Sequence, residues 1–138
     1  MILVDTSVWI EAFRKDAPAP LEHYLDLDEA VTCLPVIQEV LQGFRDQRAF
    51  RIAHEAMHAL PIVESPLRDL VFEQAIDLYR QARRRGFTVR SSIDCLIAAC
   101  ALQNGLPVLH RDRDYSLLAK VSPLEAIDIT DAMGASSI

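Results

Sequence analysis

Five carboxylates in this chain stand beside short apolar runs, in positions suited to shared work. Asp5 directly follows Ile2, Leu3 and Val4. Glu39 lies shortly after the run 30–34, Asp94 opens the run 95–102, and Asp112 and Asp114 follow the run 106–109. Acids collected in one place repel one another and raise their own pKa values. Hard divalent cations relieve that repulsion, because they take oxygen ligands. An ion such as Mg²⁺ or Mn²⁺, held by few carboxylates, keeps waters and leaves room for a phosphate. The set therefore suits activation of water against a phosphodiester and neutralisation of charge on the scissile group. Histidine or cysteine donors would instead suit softer metals.

Asp94 carries the most information. It is the only polar residue in IDCLIAACAL, residues 93–102, and a helix apolar all round is buried on most sides. An ionised carboxylate there needs compensation. The helix dipole and free backbone N–H groups of a first turn offer one structural answer. Each other acid has a plain alternative as well. Asp5 could cap a helix, Glu39 could sit at a solvated helix edge, and the turn HRDRDY could hold a surface ion pair.

The elements that would position these acids follow from the hydrophobic pattern. Residues 1–4 read as a strand buried on both faces. Thr6 or Ser7 can cap a helix over about 7–15, Pro18 and Pro20 break the chain, and a short solvated helix runs to about 29. A second strand spans 30–34, a helix beginning at Pro35 ends near Gly43, and another helix covers 46–59. Residues 60–63 form a short strand. The spacing of Leu67, Leu70, Val71, Ala75, Leu78 and Ala82 predicts one face of a helix over 66–85, ended by Gly86 after an arginine-rich turn. Ser91 or Ser92 caps a helix that stops at Gly105. A strand over 106–109, a helix to about 120 and a weak strand over 126–129 complete the chain. Alternating strands and helices predict an α/β fold with a mostly parallel sheet and helices on both faces. Ligands of such sheets bind beyond the carboxyl ends of the strands, where all five acids would fall.

At 138 residues the chain reads as one domain, 1–138; half of it is hydrophobic and a quarter charged, with no apolar run long enough to span a bilayer. Its first residues lack a basic region and a cleavage site, so they read as a strand rather than a signal peptide, which favours the cytoplasm. Cys33, Cys95 and Cys100 form no C-x-x-C pair and read as buried thiols. The net charge of −6 argues at first against a nucleic-acid partner. Yet removing Lys15 and Lys120 from the 14 basic residues leaves 12 arginines, whose forked donors suit phosphate. Arg80, Arg83, Arg84, Arg85 and Arg90 lie close together. Part of the acidic surplus falls on Asp16, Glu22, Asp26, Asp28 and Glu29, and acids that hold metal make the bulk charge a poor guide to the site.

Four blocks, MILVDTSVWIEAF, PVIQEVLQG, VRSSIDCLIAACAL and PVLHRDRDY, resemble in order and spacing the PIN-domain ribonucleases, especially the VapC-type toxins of bacterial toxin–antitoxin pairs. The resemblance covers residues 1 to about 120. It implies a three-layer α/β/α sandwich with a short, mostly parallel sheet of four to five strands, and a Mg²⁺- or Mn²⁺-dependent endoribonuclease. It implies catalytic roles for Asp5, Glu39, Asp94, Asp112 and Asp114, with Asp5, Asp94 and Asp112 as metal ligands. Tyr115 takes the aromatic place after the final acidic pair, and Thr6 and Ser7 orient the site. It also implies a homodimer and a cognate VapB-like antitoxin lying across the active-site groove. Arg90, Arg111 and the run Arg83 to Arg85 become candidates for RNA or antitoxin contacts, against a plain reading as solvated, helix-capping charge. Activity on an RNA substrate is then expected, with no membrane partner.

One motif points elsewhere, and one alternative is not an enzyme. His54-Glu55-Ala56-Met57-His58 matches the zinc-protease helix signature, with Glu73 the nearest downstream acid for a third ligand. A catalytically silent PIN-like module that binds RNA or protein is the non-enzyme alternative. A receiver-type phosphoryl-transfer domain lacks its lysine here, since Lys120 falls late in a helix. The D-x-D nucleophile of dehalogenase-like phosphatases is absent, because Thr6 and Ser7 follow Asp5.

Overall fold

Five short strands build one parallel sheet: β1 (Ile2–Val4), β2 (Ala30–Cys33), β3 (Ile62–Val63), β4 (Val108–His110) and β5 (Ala126–Asp128), in the spatial order β3-β2-β1-β4-β5. The computed structural model describes residues 1–14, 21–23 and 25–130. Leu3, Val4, Val31, Cys33, Val108 and Leu109 are each at most 2% exposed. Burial on both faces explains why these strands are apolar runs without alternation. Leu3 of the central β1 pairs with Val31 on one side and Val108 on the other. The chain builds outward from β1 to β3, then crosses back to β4, so the order reverses between β1 and β4. That switch point is where α/β sheets open a crevice beyond the strand ends.

Among the described residues six α-helices flank the sheet: α1 (Thr6–Phe13), α2 (Leu34–Gln42), α3 (Gln47–His58), α4 (Asp69–Arg84), α5 (Ser92–Gln103) and α6 (Arg113–Lys120). Right-handed crossovers that reverse direction at β1 place α1–α3 on one face and α4–α6 on the other. The packing agrees: α1 meets α2, α2 meets α3, and α4, α5 and α6 meet one another. This is the α/β/α arrangement expected from the sequence. α5 is buried on nearly all sides, from Cys95 to Ala101.

Several boundaries differ from expectation. α1 is capped by Asp5, whose side chain accepts from the Ser7 N–H, because the Thr6 hydroxyl donates to Glu39 and the Ser7 hydroxyl to Asp5 itself. Leu34 leaves β2 and begins α2. The acidic segment forms two 3₁₀ turns, Leu21–His23 and Leu27–Glu29, instead of a helix. There the Asp26 side chain accepts from Asp28 N at 3.0 Å, a local bond that competes with helix formation. Pro18, Pro20 and Asp16 lie outside the described residues. Leu70 is 43% exposed, because the buried stripe of α4 runs through Val71, Leu78 and Ala82 and leaves Leu70 about 100° to one side. Cys33, Cys95 and Cys100 are free and buried, as expected.

A polar clasp joins the β3–α4 turn to the end of α5. Glu64 accepts from Arg68 Nε at 2.9 Å and Nη2 at 2.7 Å, and from Asn104 Nδ2 at 3.0 Å. The Arg68 guanidinium, opposed by burial, holds the Glu64 carboxyl down at about 2, against an ordinary 4.5. Its stabilising contribution is complete above the ordinary value and disappears as pH falls from about 4.5 to about 2. Glu64→Gln is expected to cost about 1 kcal/mol at pH 7, because Arg68 is half exposed. Melting curves recorded from neutral to acid pH check this. The wild type and the Gln variant should converge as pH falls through that window, and a constant gap would disprove the assignment.

Candidate active site

The carboxyl edge of the sheet gathers the acids from four different segments. Asp5, the first residue after β1, is 2% exposed. Its Oδ2 accepts from the Ser7 backbone N–H at 2.9 Å and the Ser7 hydroxyl at 2.5 Å. Its Oδ1 accepts from the hydroxyl of Tyr115, a fully buried residue of α6. The Ser7 Oγ in turn accepts from the Arg111 backbone N–H at 2.9 Å, so one hydroxyl ties the ends of β1 and β4 together. Thr6 donates to Glu39 Oε1 at 2.8 Å and holds the half-buried α2 glutamate at the same edge. Burial raises the Glu39 pKa; the charges of Asp5 and Asp112 add to this and the Thr6 bond opposes it.

Asp94 lies in the first turn of α5 and is 5% exposed. Its Oδ1 stands 3.4 Å from the Tyr115 hydroxyl, and its buried Oδ2 has no hydrogen-bond partner. Burial foremost, then a bond with Asp114 and the charges of Asp5, Asp112 and Asp114, push its carboxyl up to about 9. Asp114 is fully buried and accepts backbone N–H groups from Arg90 (3.0 Å) and Ser91 (3.1 Å). Asp112 caps α6 by accepting from Asp114 N at 2.9 Å.

Ligand oxygens of Asp94, Asp112 and Asp114 lie within 4.8 Å of one another. A divalent cation fits this arrangement. The donors are all hard carboxylate oxygens, one of them is buried without a partner, and the mutual repulsion calls for positive charge. The sequence expectation placed Asp5 in the metal set. The structure groups Asp114 with Asp94 and Asp112, and sets Asp5 alongside, linked to Asp94 through the Tyr115 hydroxyl. Arg90 and Arg111 are exposed at the rim of this edge; Arg111 pairs through its guanidinium with Glu11 of α1.

Two residues of the site escaped the sequence reading. Tyr115 was noted only as an aromatic, whereas its hydroxyl bridges two carboxylates. The legible sign was a phenol on the same helix face as Leu118, because a buried Tyr hydroxyl needs a partner. His110 extends β4 by one residue and is fully buried. Its Nδ1 accepts from the Asp112 N–H at 3.2 Å, and burial holds its pKa below the ordinary value. The zinc-type motif does not assemble. His54, Glu55 and His58 are exposed on α3, and the two rings stack at 4.2 Å. Among the described residues the group able to hold a metal is the aspartate trio.

Comparison with known proteins agrees with this geometry. The PIN domain family model matches residues 2–121. The chain is 37% identical over 132 residues to VapC ribonuclease Mb1587 of Mycobacterium bovis, covering 91% of this chain and 97% of that protein. The same figures hold for ribonuclease VapC11 of Mycobacterium tuberculosis. Among solved structures, the fold is similar to VapBC2 from Rickettsia felis bound to a promoter DNA fragment, with TM-score 0.74, 14% identity and coverage of 93% and 98% of the two chains. It is also similar to VapBC-5 from Mycobacterium tuberculosis, a member of the VapBC family of toxin–antitoxin systems, with TM-score 0.68, 23% identity and coverage of 92% and 97%. With its acids on the carboxyl edge of a β3-β2-β1-β4-β5 sheet and a family match over nearly all of that sheet, the chain belongs to the PIN domain family.

Proposed function

We propose that this protein is a Mg²⁺- or Mn²⁺-dependent endoribonuclease and the toxin of a toxin–antitoxin pair. The observation that carries the reading is the three-aspartate group with its unpartnered, buried Asp94 Oδ2, in a chain 37% identical to VapC ribonucleases. A bound dication would lower the pKa of a water and offset charge on the scissile phosphate. Asp94, Asp112 and Asp114 would hold it. Ser7 and Tyr115 fix the rotamer of Asp5 beside that group, and Thr6 orients Glu39, whose raised pKa suits proton transfer. Buried His110 fixes the start of α6 and with it Asp112.

Partners follow from two surfaces and from the relatives. Exposed Phe72 and Ile76 of α4 lie, with Leu96 of α5, at the apolar end of a groove of about 480 Å³ whose lining also includes Arg80 and Arg83; a homodimer through the apolar end alone would leave the arginine end open. A second groove of about 240 Å³, lined by Ile10, Phe13, Val40 and Phe44, is also lined by Glu39. An antitoxin segment seated there would cover the active site, and the similar structures include toxin–antitoxin complexes. No described helix is long and apolar enough to cross a membrane, and the working compartment we propose is the cytoplasm.

Incubating structured RNAs with Mg²⁺, Mn²⁺ or chelator tests the reading. The wild type should cleave only with metal, and Asp5→Asn and Asp112→Asn should each lose about a hundredfold in rate. Equal rates in all three proteins would remove these residues from the mechanism. RNA binding by a wild type that never cleaves would leave a silent binding module.

A further inference from the structure

A polyanion approaching this protein meets a net charge of −6 and a pocket lined by carboxylates, so some cationic surface must hold it. The arginines sort by what they already touch. Arg14 and Arg111 pair with Glu11, and Arg68 with Glu64. Arg85 donates to the Lys120 carbonyl and lies over the Phe87 ring. Among the described residues, no ion pair engages Arg80, Arg83 or Arg84. These three exposed side chains share one face of the last two turns of α4 and by themselves line a depression of about 260 Å³. Arg83 lies 4.9 Å over the Tyr79 ring, which fixes its guanidinium and reduces the entropy lost on binding.

The patch borders the acidic site. α4 and α5 pack on each other, and Arg80 and Arg83 line the end of the 480 Å³ groove away from Phe72, together with Ser92, Ile93 and Cys95, which flank Asp94. Arg90 lies between, with its backbone N–H on Asp114 and its side chain exposed. We infer that Arg80, Arg83 and Arg84 form a track for the sugar–phosphate backbone of the RNA, leading past Arg90 to the scissile bond. The inference rests on the ribonuclease reading above and adds where the strand runs. Guanidinium forks give each phosphate two donors, and contacts of this kind hold the strand without reading its bases.

Fluorescence anisotropy of a labelled, mixed-sequence single-stranded RNA, titrated with potassium chloride under chelator so that nothing is cut, tests the track. Each phosphate contact adds about 0.7 to the slope of log affinity against log salt for single strands. Arg80→Gln/Arg83→Gln/Arg84→Gln should therefore flatten the slope by about 2. The corresponding triple Lys variant, which keeps the charge, should preserve most of it. Arg45→Gln/Arg48→Gln/Arg51→Gln removes equal charge at the start of α3, which packs on α2, and should leave the slope near wild type. If the triple Gln variant melts early, Arg84→Gln alone should still lower the slope by about 0.7. An unchanged slope in the patch variants, or an equal loss in the α3 variant, overturns the track. So does an unchanged slope joined to loss of a dimer on sedimentation, which would make the face an interface between copies. A wild type that cleaves RNA while the slope stays unchanged rejects only the track. A wild type that neither binds nor cleaves rejects the ribonuclease reading itself.

Discussion

Asp94→Asn is expected to abolish metal-dependent cleavage and, at the same time, to raise the melting temperature of the metal-free protein. Burial without a partner for Oδ2, together with three neighbouring carboxylates, holds this acid at about 9 against an ordinary 3.8. A carboxyl whose pKa rises on folding makes the folded state bind more protons than the unfolded chain between those two values. Stability of the metal-free protein therefore falls as pH climbs through that window. At pH 7 folding must take up a proton at Asp94, and an amide of the same shape avoids the requirement. A gain of about 2 kcal/mol, or about 6 °C, is expected once the desolvation figure is discounted. Added Mn²⁺ should reverse the order, stabilising the wild type by mass action and leaving the variant unmoved. Calorimetry at several pH values with chelator and with metal reads both effects. Identical melting of the two proteins in chelator from pH 5 to 9 would show that Asp94 is not under electrostatic load.

Asp114→Ala, in the same pocket, should move stability the other way. Its fully buried carboxylate accepts from Arg90 N and Ser91 N. Charge-assisted bonds of this kind contribute about 1.5–3 kcal/mol each. Removing Asp114 also relieves repulsion on its neighbours, but a largely protonated Asp94 makes that relief small. Lost bonds therefore win, and a net destabilisation of about 3 kcal/mol is expected. Because those bonds anchor the residues just before α5, the first turn carrying Asp94 should loosen as well. Denaturant titration measures the first effect, and amide hydrogen exchange at Arg90 and Ser91 the second. A variant with unchanged midpoint and unchanged exchange would show that Asp114 does not anchor this link.

The parts legible in the sequence were those governed by strong, local physics. Strands buried on both faces announce themselves as unbroken apolar runs, so β1 and β2 were placed within a residue and β4 within two. The position of Asp5, Asp112 and Asp114 at strand ends then followed from the rule for parallel sheets. What stayed hidden depended on partners distant along the chain. Nothing near Asp114 discloses that it will accept the amides of Arg90 and Ser91. Nothing near Tyr115 shows that Asp5 and Asp94 flank its hydroxyl. The arginine run was legible as charge, but only the packing of α4 beside α6 separates Arg85, tied to Lys120, from Arg80, Arg83 and Arg84. The 3₁₀ turns before β2 escaped notice because side-chain-to-backbone bonds at Asp26 outweighed a weak helical pattern.

The pairing of Leu3 with Val108 has a temporal meaning. During synthesis, central β1 must wait for roughly a hundred further residues before its second neighbour exists, and such distant pairings form slowly. Asp5 leaves the ribosome roughly a hundred residues before Asp112 and Asp114, so no chain that stops short of them carries the assembled acidic centre.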